Sequence, residues 1–478
     1  MIRYIKQNKK LIIFIFLISI LLFVQKIICP SIGYDTDQYL TNPEETHRVW
    51  ISHGRYALVF MSHFLGKLWM NPCVANILTS INIAVYTVLF LAFLNMLYED
   101  KDKKRNTIVA ILLISSPIFL EQYYFTLQAV EVSFSIILIM LAYISTYCWI
   151  VENRKKYAVI VYGLLTFCFG VYQTHVVLYI IGVLMILITV NHENQSENIK
   201  VILRCVLIWG ISLATYFVIK KIVGILMGIP DSGYLESQIT WLSGSVIESC
   251  FMIMKSVGRV VFGIGHVLNL SYFICIIYIL WRIKKSDKII TWENFYLLSF
   301  LIAPMLLNII MASRLLIRSV LGIPIVCAVI FWKSWRESRY MRILMIVVAV
   351  SQIVNGQLLL YADNIRYTND VAIAEKIYQD CYADKNTIIV TKGIEKAEDN
   401  GFAFKGQTLG HSFFEWSNGM EDADETRIHY FMHLQGLDFK LPDEHQKQQI
   451  NTIDFQAEYP EVGYAVEKDG CWYVDLGE

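Results

Sequence analysis

Two aspartates follow the first strongly apolar run of the sequence. Asp35 and Asp37 stand two residues apart in the stretch YDTDQY. In extended backbone, residues two apart project to the same face, so both carboxylates would be available at one place. A carboxylate in that position can accept a proton as a general base or hold a cation. The alternative is a solvated loop whose acids only mark the end of the apolar run.

The same stretch continues with many more polar and aromatic side chains, which are Tyr34, Tyr39, Glu44, Glu45, His47, Arg48, Trp50, His53, Arg55 and Tyr56. Carboxylates can accept hydrogen bonds from sugar hydroxyls, and aromatic rings offer apolar platforms for sugar faces. Arginine matches phosphate oxygens through its planar fork. The combination indicates chemistry on a carbohydrate or a lipid phosphate, with Arg55 as a phosphate contact.

Polar residues also occur at the ends of later apolar runs. Glu121 is one of them. An ionised acid at membrane depth costs free energy unless it is paired or lies in a water-filled cavity, which makes Glu121 a candidate for a functional site. The alternative is an interfacial residue in an aromatic belt. Gln173 and His175 interrupt the apolar residues 157–190. They belong either to a tight outer turn or to a turn that faces the substrate.

Arg314 and Arg318 stand four residues apart in the stretch MASRLLIRS. On a helix, residues four apart share a face. Two guanidinium groups on one face at headgroup depth suit a lipid-linked phosphate or diphosphate.

Membrane helices are the elements that must position these residues. Of the 478 residues, 56% are hydrophobic and 17% are charged, which is typical of a multi-spanning membrane protein. We expect about eleven spans, each close to the roughly 20 residues that cross a bilayer. They lie near 11–29, 74–97, 107–121, 128–151, 157–170, 173–190, 201–227, 261–281, 294–311, 315–332 and 342–361.

Lysine and arginine gather in every second loop, in EDKDKKRN, ENRKK, HENQSENIK, WRIKKSDK and WKSWRESRYMR. The positive-inside rule therefore places these loops and the N-terminus in the cytoplasm. We expect a membrane domain over 1–361 with a long outer loop over 30–73. The tail, 362–478, mixes short alternating apolar pieces with helix-like ones and predicts a small extracytoplasmic α+β domain.

Several function classes lack support in the sequence. It contains no P-loop, GxGxxG, HExxH or GxSxG motif, so nothing favours a nucleotide-binding enzyme. The net charge is zero, which gives no reason to expect a nucleic-acid partner. None of the ten cysteines has metal-ligand spacing. Cys381 and Cys471 could pair only if the tail lies outside the cytoplasm.

A set of motifs in a fixed order carries a family resemblance. It comprises YDTDQY, HGRY at 53–56, SSPIFLEQYYF at 115–125, FGVYQTH at 169–175, an arginine before 315–332, and the tail stretches DNIRYTNDVAIAEKI and GHSFFEWSNGMEDADETRIHYFMHLQG. With these motifs the chain resembles the GtrII-like bacterial glucosyltransferases, multi-spanning enzymes of the GT-C type. The family often has adjacent acids after the first span. Here Thr36 separates them, which leaves open whether Asp35 or Asp37 acts.

The resemblance implies a transferase that moves a sugar, with glucose expected, from a polyprenyl-phosphate carrier to a surface glycan, at the outer face of a bacterial plasma (inner) membrane. If the acceptor attacks from the face opposite the phosphate, the anomeric configuration would invert. Asp35 or Asp37 would be the base, and arginines would bind the lipid phosphate. Glu121, Gln173 and His175 would line the sugar site. The donor lipid and the glycan acceptor are then partners, with membrane lipid around the protein and a donor synthase and a flippase upstream.

The same expected reaction indicates which cofactors the protein would use. A lipid-linked donor requires no nucleotide, while a divalent cation, Mg²⁺ or Mn²⁺, is compatible with Asp35 and Asp37 near a phosphate. The rival class is a non-enzymatic flippase for a lipid-linked sugar. It would also need outer arginines and aromatics, but in addition a polar path through the full bilayer depth.

Overall fold

The computed structural model describes residues 2–66, 70–99, 102–190, 195–242, 245–264, 269–286, 290–312, 316–396, 410–415 and 426–477. The chain forms two compact units. The first contains 1–27, 47–123 and 128–357, and the second contains 28–46, 124–127 and 358–478. The stretch YDTDQY therefore belongs to the same unit as the tail. The predicted domain boundary after residue 361 lies inside one helix, Arg339–Asp380.

The regular elements among the described residues of the first unit are all helices. Apolar runs form its long helices, and local signals start them: the side chain of Asn71 accepts a hydrogen bond from the Val74 amide, and Pro72 occupies the first helical turn. The α-helices that lie wholly or mostly in it are Ile2–Gln7, Lys9–Leu22, Val24–Ile28, Pro43–Ser52, Tyr56–Phe64, Pro72–Tyr98, Lys103–Ile114, Leu120–Tyr124, Thr126–Ile150, Lys156–Val171, His175–Thr189, Gln195–Met227, Tyr234–Ser237, Val246–Val261, Ser271–Lys285, Trp292–Ile302, Leu306–Met311 and Gly322–Ser334, followed by the start of Arg339–Asp380, and its 3-10 helices are Pro117–Phe119, Thr240–Leu242, Ala303–Met305 and Ile317–Ser319.

Several helices have the length and composition of membrane spans. Among the described residues, five are long and apolar enough to cross a membrane: Pro72–Tyr98, Thr126–Ile150, Ser196–Met227, Trp292–Met311 and Arg339–Asp380. A sixth arises if Lys103–Ile114 and Pro117–Tyr124, which are bent by 41°, count as one span. These helices are compatible with a membrane protein, but the predicted count of eleven spans is not confirmed.

The second unit combines helices with a three-stranded sheet. Its helices are Thr36–Thr41, the end of Arg339–Asp380, Thr426–Leu434, Glu444–Gln449 and the 3-10 turn Ile450–Thr452. Strand β1 (Ile388–Lys392) pairs in parallel with β3 (Cys471–Asp475), and β2 (Ala465–Lys468) pairs antiparallel with β3. Asp469 and Gly470, both with positive φ, join β2 to β3 as a tight hairpin turn requires. Cys381 and Cys471 are free thiols.

The helix Thr426–Leu434 is fixed by the apolar core of this unit. Ile428, Phe431 and Met432 are buried in that core. The Phe431 ring stacks on Phe413 with their centres 4.2 Å apart. The helix also contacts Thr36–Thr41. Residue 427 is therefore held beside the YDTD stretch.

Candidate functional site

The YDTD stretch forms the start of a short helix. Asp35 has φ 77°, in the left-handed region, and the helix Thr36–Thr41 begins directly after it. The extended backbone expected from the sequence is wrong, because Asp37 lies in the first helical turn. A non-glycine residue in the left-handed region is strained, and such strain often accompanies functional sites.

Arg427 joins the two aspartates. Its Nη2 donates to Asp35 Oδ1 at 3.2 Å and to Asp37 Oδ1 at 2.7 Å, and its Nη1 donates to Gln38 Oε1 at 2.6 Å. Its Cζ lies 4.0 Å from the centre of the Tyr34 ring. The planar guanidinium fork makes these contacts simultaneously, which the point charge of a lysine could not do. Sequence reasoning assigned no role to Arg427, although a tail motif of the resemblance contained it.

Burial differs sharply within this cluster. The Asp37 side chain is 0% exposed and that of Arg427 is 7% exposed, whereas half of the Asp35 side chain, 50%, is exposed. Asp35 is thus the carboxylate that a substrate can reach. Asp37 and Arg427 form the buried support beneath it.

Three buried polar atoms in the cluster have no hydrogen-bond partner among the described residues. They are Thr36 Oγ1, Asp37 Oδ2 and Arg427 Nε. Each such atom costs about 1–3 kcal/mol, and folded proteins rarely keep several together without a reason. Their concentration at one place supports a functional site here.

Burial raises the pKa of Asp37 to about 7, against the lowering effect of the Arg427 guanidinium, and the nearby Asp35 carboxylate adds to the rise. Although burial opposes it, the two carboxylates raise the pKa of Arg427. The arginine therefore stays charged, while Asp37 can change its charge near neutral pH.

A second ion-pair network fixes the backbone before Tyr34. Arg366 lies on the long helix and donates to Asp363 Oδ1 at 3.0 Å and to Asp370 Oδ2 at 2.8 Å. It also donates to the Ile32 carbonyl at 2.9 Å, and Ser31 Oγ donates to Asp363 Oδ2 at 2.7 Å. Arg366 is buried, with 2% exposed, so this network is a structural support for the YDTD stretch.

Gly33 permits a close aromatic contact at the same stretch. A Cβ at this position would lie 2.6 Å from the Tyr124 ring, which is closer than carbon atoms approach. The Tyr124 hydroxyl accepts a hydrogen bond from the Tyr34 amide at 3.4 Å. Only glycine leaves room for this ring directly before the aspartates.

The remaining predicted residues that the structure describes lie in the first unit. Arg55 donates from Nη1 to Gln128 Oε1 at 3.5 Å. Its Cζ lies 5.3 Å from the Tyr172 ring centre and 6.0 Å from that of Tyr234. Its buried Nε has no hydrogen-bond partner among the described residues. An arginine beside two tyrosine rings could contact both a phosphate and a sugar.

Gln173 lies next to the cluster formed by Arg55, Tyr172 and Tyr234. Its Nε2 donates to the His53 carbonyl at 2.9 Å and to the Tyr216 hydroxyl at 3.5 Å. The His53 ring stacks on Tyr234 with their centres 4.1 Å apart. Gln173 thus ties the turn before the helix His175–Thr189 to the HGRY motif.

The other candidates are placed as follows. Glu121 lies in the helix Leu120–Tyr124, close enough to Arg318 for an electrostatic interaction. His175 is fully buried, and its ring nitrogens lie 3.0 Å from Ser135 Oγ and 2.7 Å from the Tyr172 carbonyl. Both nitrogens therefore have partners within the protein. Arg314 lies outside the described residues.

Comparison with known families decides the identity. Residues 26–331 match the family described as Glucosyl transferase GtrII. The chain belongs to the GtrII glucosyl transferase family. No curated protein matches the sequence. The resemblance is confirmed, and this GtrII-family protein is a glucosyltransferase. Asp35, Asp37 and Arg55 lie inside the matched range, whereas Arg366 and Arg427 lie beyond it.

The paired aspartates of this GtrII-family protein do not suit a divalent cation. The Arg427 guanidinium contacts both carboxylates and so occupies the position of a cation that both aspartates would bind. Mg²⁺ prefers oxygen ligands in octahedral geometry, and Arg427 brings positive charge without such ligands. Among the described residues, no three His, Cys, Asp or Glu side chains are grouped to hold a metal.

The raised pKa of Asp37 predicts how stability depends on pH. Its folded value of about 7 exceeds the unfolded value of about 3.9. The contribution of Asp37 to folding stability is therefore fully present at a pH below its pKa in the unfolded chain. That contribution is lost as the pH rises through about 7. We expect the thermal unfolding midpoint in detergent to fall between about pH 4 and about pH 8, and to fall less in Asp37→Asn.

The control is Glu44→Gln, which removes an exposed acid from the next helix, Pro43–Ser52. It should retain the wild-type pH dependence. An identical fall in the wild type and in Asp37→Asn would show that Asp37 ionises as it does in the unfolded chain.

Proposed function

We propose that this GtrII-family protein transfers glucose from a polyprenyl-phosphate carrier to a cell-surface polysaccharide, or to its lipid-linked precursor. The reaction takes place at the outer face of the plasma membrane, with the N-terminus in the cytoplasm and the C-terminal domain outside. The observation that carries this proposal is the half-exposed Asp35 carboxylate, held by the buried pair of Arg427 and Asp37.

Asp35 is the general base. An acceptor hydroxyl gives its proton to Asp35 while its oxygen attacks the anomeric carbon of the donor from the face opposite the phosphate. The bond between the anomeric carbon and the phosphate oxygen breaks, and the polyprenyl phosphate leaves with the bonding electrons. The anomeric configuration inverts. A positioned base of this kind typically contributes about 10²-fold to 10⁴-fold to the rate.

Asp37 and Arg427 act as positioning residues. Asp37 balances the charge of Arg427 and fixes its guanidinium at 2.7 Å. The same guanidinium holds the Asp35 carboxylate in one orientation. A base that is already oriented loses less freedom on reaching the transition state. The sequence left open which aspartate acts, and the difference in exposure favours Asp35.

Several residues predicted from the sequence stay the proposed contacts of the donor. Arg55 and Arg318 suit the leaving phosphate, whose negative charge grows as the glycosidic bond breaks. Glu121 and Gln173 suit the sugar hydroxyls. Arg314 stays a candidate for a phosphate contact, and His175, whose ring nitrogens have protein partners, supports the turn instead.

Replacement of Arg55 by glutamine tests the phosphate contact. Loss of a charge-assisted hydrogen bond worth about 1.5–3 kcal/mol should raise the KM for the lipid-phosphate donor about tenfold or more. The matched control is Arg48→Gln, which removes an exposed arginine from the preceding helix, Pro43–Ser52. Donor saturation curves of purified proteins give the comparison. Equal KM values in the wild type and Arg55→Gln would remove Arg55 from the donor site.

Deletion of the gene separates the transferase from the flippase. A transferase adds one sugar, so its loss should leave the surface polymer in place without a glucose branch. The linkage composition of the purified polysaccharide measures this. Loss of the entire polymer would instead support a flippase or a polymerase.

A further inference from the structure

Gln38 is the third side chain that the Arg427 guanidinium contacts, and the mechanism above gives it no role. Its Oε1 accepts a hydrogen bond from Arg427 Nη1 at 2.6 Å. The other contacts of the guanidinium are with the carboxylates of Asp35 and Asp37. Two carboxylates suffice to balance the charge of one arginine, so the neutral third partner requires an explanation of its own.

The contact with Arg427 fixes which way the Gln38 amide is turned. A glutamine amide has one oxygen that accepts hydrogen bonds and one NH₂ group that donates them, whereas arginine only donates. The amide oxygen must therefore face the guanidinium, and the NH₂ group is turned away from it. Arg427 is itself held by the two aspartates and by the Tyr34 ring, whose centre lies 4.0 Å from its Cζ. The orientation of the amide is thus set before a substrate binds.

The NH₂ group of Gln38 is available to a ligand. Its Nε2 has no hydrogen-bond partner in the part of the chain that the structure describes. The Gln38 side chain is half-buried, and Nε2 is not one of the unpaired atoms that are closed off from solvent. Solvent therefore reaches a hydrogen-bond donor whose direction is already fixed.

Gln38 and Asp35 lie on the same side of the short helix Thr36–Thr41. The Tyr39 amide donates to the Asp35 carbonyl at 3.2 Å, which closes the first helical turn, and residues three apart share a helix face. Both side chains are partly exposed and contact the same guanidinium, whereas Asp37 between them is buried. A ligand that reaches the Asp35 carboxylate therefore meets the Gln38 amide beside it.

Sugar hydroxyls suit this pair of side chains. A hydroxyl can accept a hydrogen bond from an amide and can donate one to a carboxylate. A phosphate oxygen could also accept from the amide, but two carboxylates against one guanidinium leave no surplus of positive charge to attract an anion. Since Asp35 takes the proton of the attacking hydroxyl in the proposed reaction, the Gln38 amide is left for a second hydroxyl.

We propose that Gln38 binds the acceptor, with its Nε2 donating a hydrogen bond to a second hydroxyl of the sugar that is attacking from Asp35. The acceptor is then a sugar unit with at least two free hydroxyls close together. The inference rests on the proposed function, because it takes Asp35 as the base. An amide that Arg427 has already oriented loses little freedom when the acceptor binds.

The test uses the purified full chain in detergent and the surface polysaccharide of a strain that lacks the gene, which carries no glucose branch. Transfer from polyprenyl-phosphate glucose gives kcat and the KM for this acceptor, and calorimetry without the donor gives its Kd. Gln38→Met removes both polar atoms at similar length. Gln38→Glu still accepts from Arg427 but has no N–H to donate. The matched control is Gln448→Met, which removes an exposed glutamine from the helix Glu444–Gln449.

We expect both Gln38 variants to raise the acceptor KM and Kd about threefold to tenfold, the effect of losing one hydrogen bond between neutral groups. The donor KM should stay at its wild-type value, and Gln448→Met should match the wild type throughout. If Gln38 only supports Arg427, Gln38→Met should lower kcat and leave acceptor binding unchanged. Wild-type acceptor KM and Kd in both folded Gln38 variants would overturn the inference.

Failure of the proposed function would give a different result. If the wild type transfers no sugar from the lipid donor, the proposed reaction is wrong, yet a Kd that rises in the Gln38 variants still supports a glycan contact at this amide. If the wild type transfers the sugar normally and the Gln38 variants bind the acceptor equally well, only the role of Gln38 is wrong.

Discussion

Replacement of Asp35 by asparagine is expected to lower the rate of glucosyl transfer by about 100-fold to 10,000-fold, the usual contribution of a general base. Asparagine has nearly the same shape and can still accept a hydrogen bond from Arg427. It cannot take the proton of the acceptor hydroxyl. The loss should therefore appear in kcat, with little change in the KM for the donor.

Two controls accompany this variant. Glu44→Gln removes an exposed acid from the nearby helix Pro43–Ser52 and should keep the wild-type rate. Asp37→Asn should lose less activity than Asp35→Asn, because the Asp37 side chain is buried and acts through Arg427. All variants are compared at equal amounts of inserted protein. Normal transfer by Asp35→Asn would exclude Asp35 as the base.

Replacement of Arg427 by lysine is expected to lower kcat about 10-fold to 100-fold, the scale of a misplaced catalytic group. Lysine carries the same charge but lacks the fork that contacts Asp35, Asp37 and Gln38 together. The donor KM should stay near the wild-type value, since Arg427 does not contact the donor in the proposed mechanism. Arg48→Lys is the matched control.

A double-mutant cycle separates positioning from simple stabilisation. If Arg427 acts through the aspartates, the effects of Arg427→Gln and Asp37→Asn on kcat should be far from additive. Arg427→Lys should also retain more activity than Arg427→Gln. If the losses in kcat are additive, or if they only parallel the decrease in the thermal unfolding midpoint, Arg427 has a purely structural role.

The sequence predicted the aspartate pair, but not the reason that the two carboxylates meet. The spacing of Asp35 and Asp37 suggested a common face of an extended segment, whereas the segment is helical. Their shared partner, Arg427, is about 390 positions later in the chain. No local pattern links residues so far apart, because it is tertiary packing around Phe431 that brings Thr426–Leu434 to the aspartates.

The apolar runs predicted the positions of many helices. They did not predict the breaks within those helices. The predicted runs 74–97 and 128–151 correspond to Pro72–Tyr98 and Thr126–Ile150. The breaks at Phe23 and at 115–116 were missed. The composition stays apolar across Phe23, whereas Ser115, Ser116 and Pro117 form a break signal that the predicted run 107–121 passed over. Apolar composition measures burial from water and carries little information on where a helix bends.

The helix Arg339–Asp380 continues beyond its apolar run, so hydropathy alone did not predict where it ends. Its apolar run ends near residue 361, yet the helix continues to Asp380. Arg366 pairs with Asp363 and Asp370 at spacings of three and four residues, which support a helix on its polar part. The motif DNIRYTND carried this signal, which the sequence analysis used only as part of the family resemblance.

The central claim is transfer of glucose from a lipid-phosphate donor, and purified protein tests it most directly. The protein is incubated in detergent with polyprenyl-phosphate glucose labelled in the sugar and with the surface glycan as acceptor, without any nucleotide sugar. We predict that the label moves to the glycan and that Asp35→Asn lowers the rate of this transfer by about 100-fold to 10,000-fold. Transfer of label only from UDP-glucose, or no transfer from any polyprenyl-phosphate sugar, would contradict the proposed reaction.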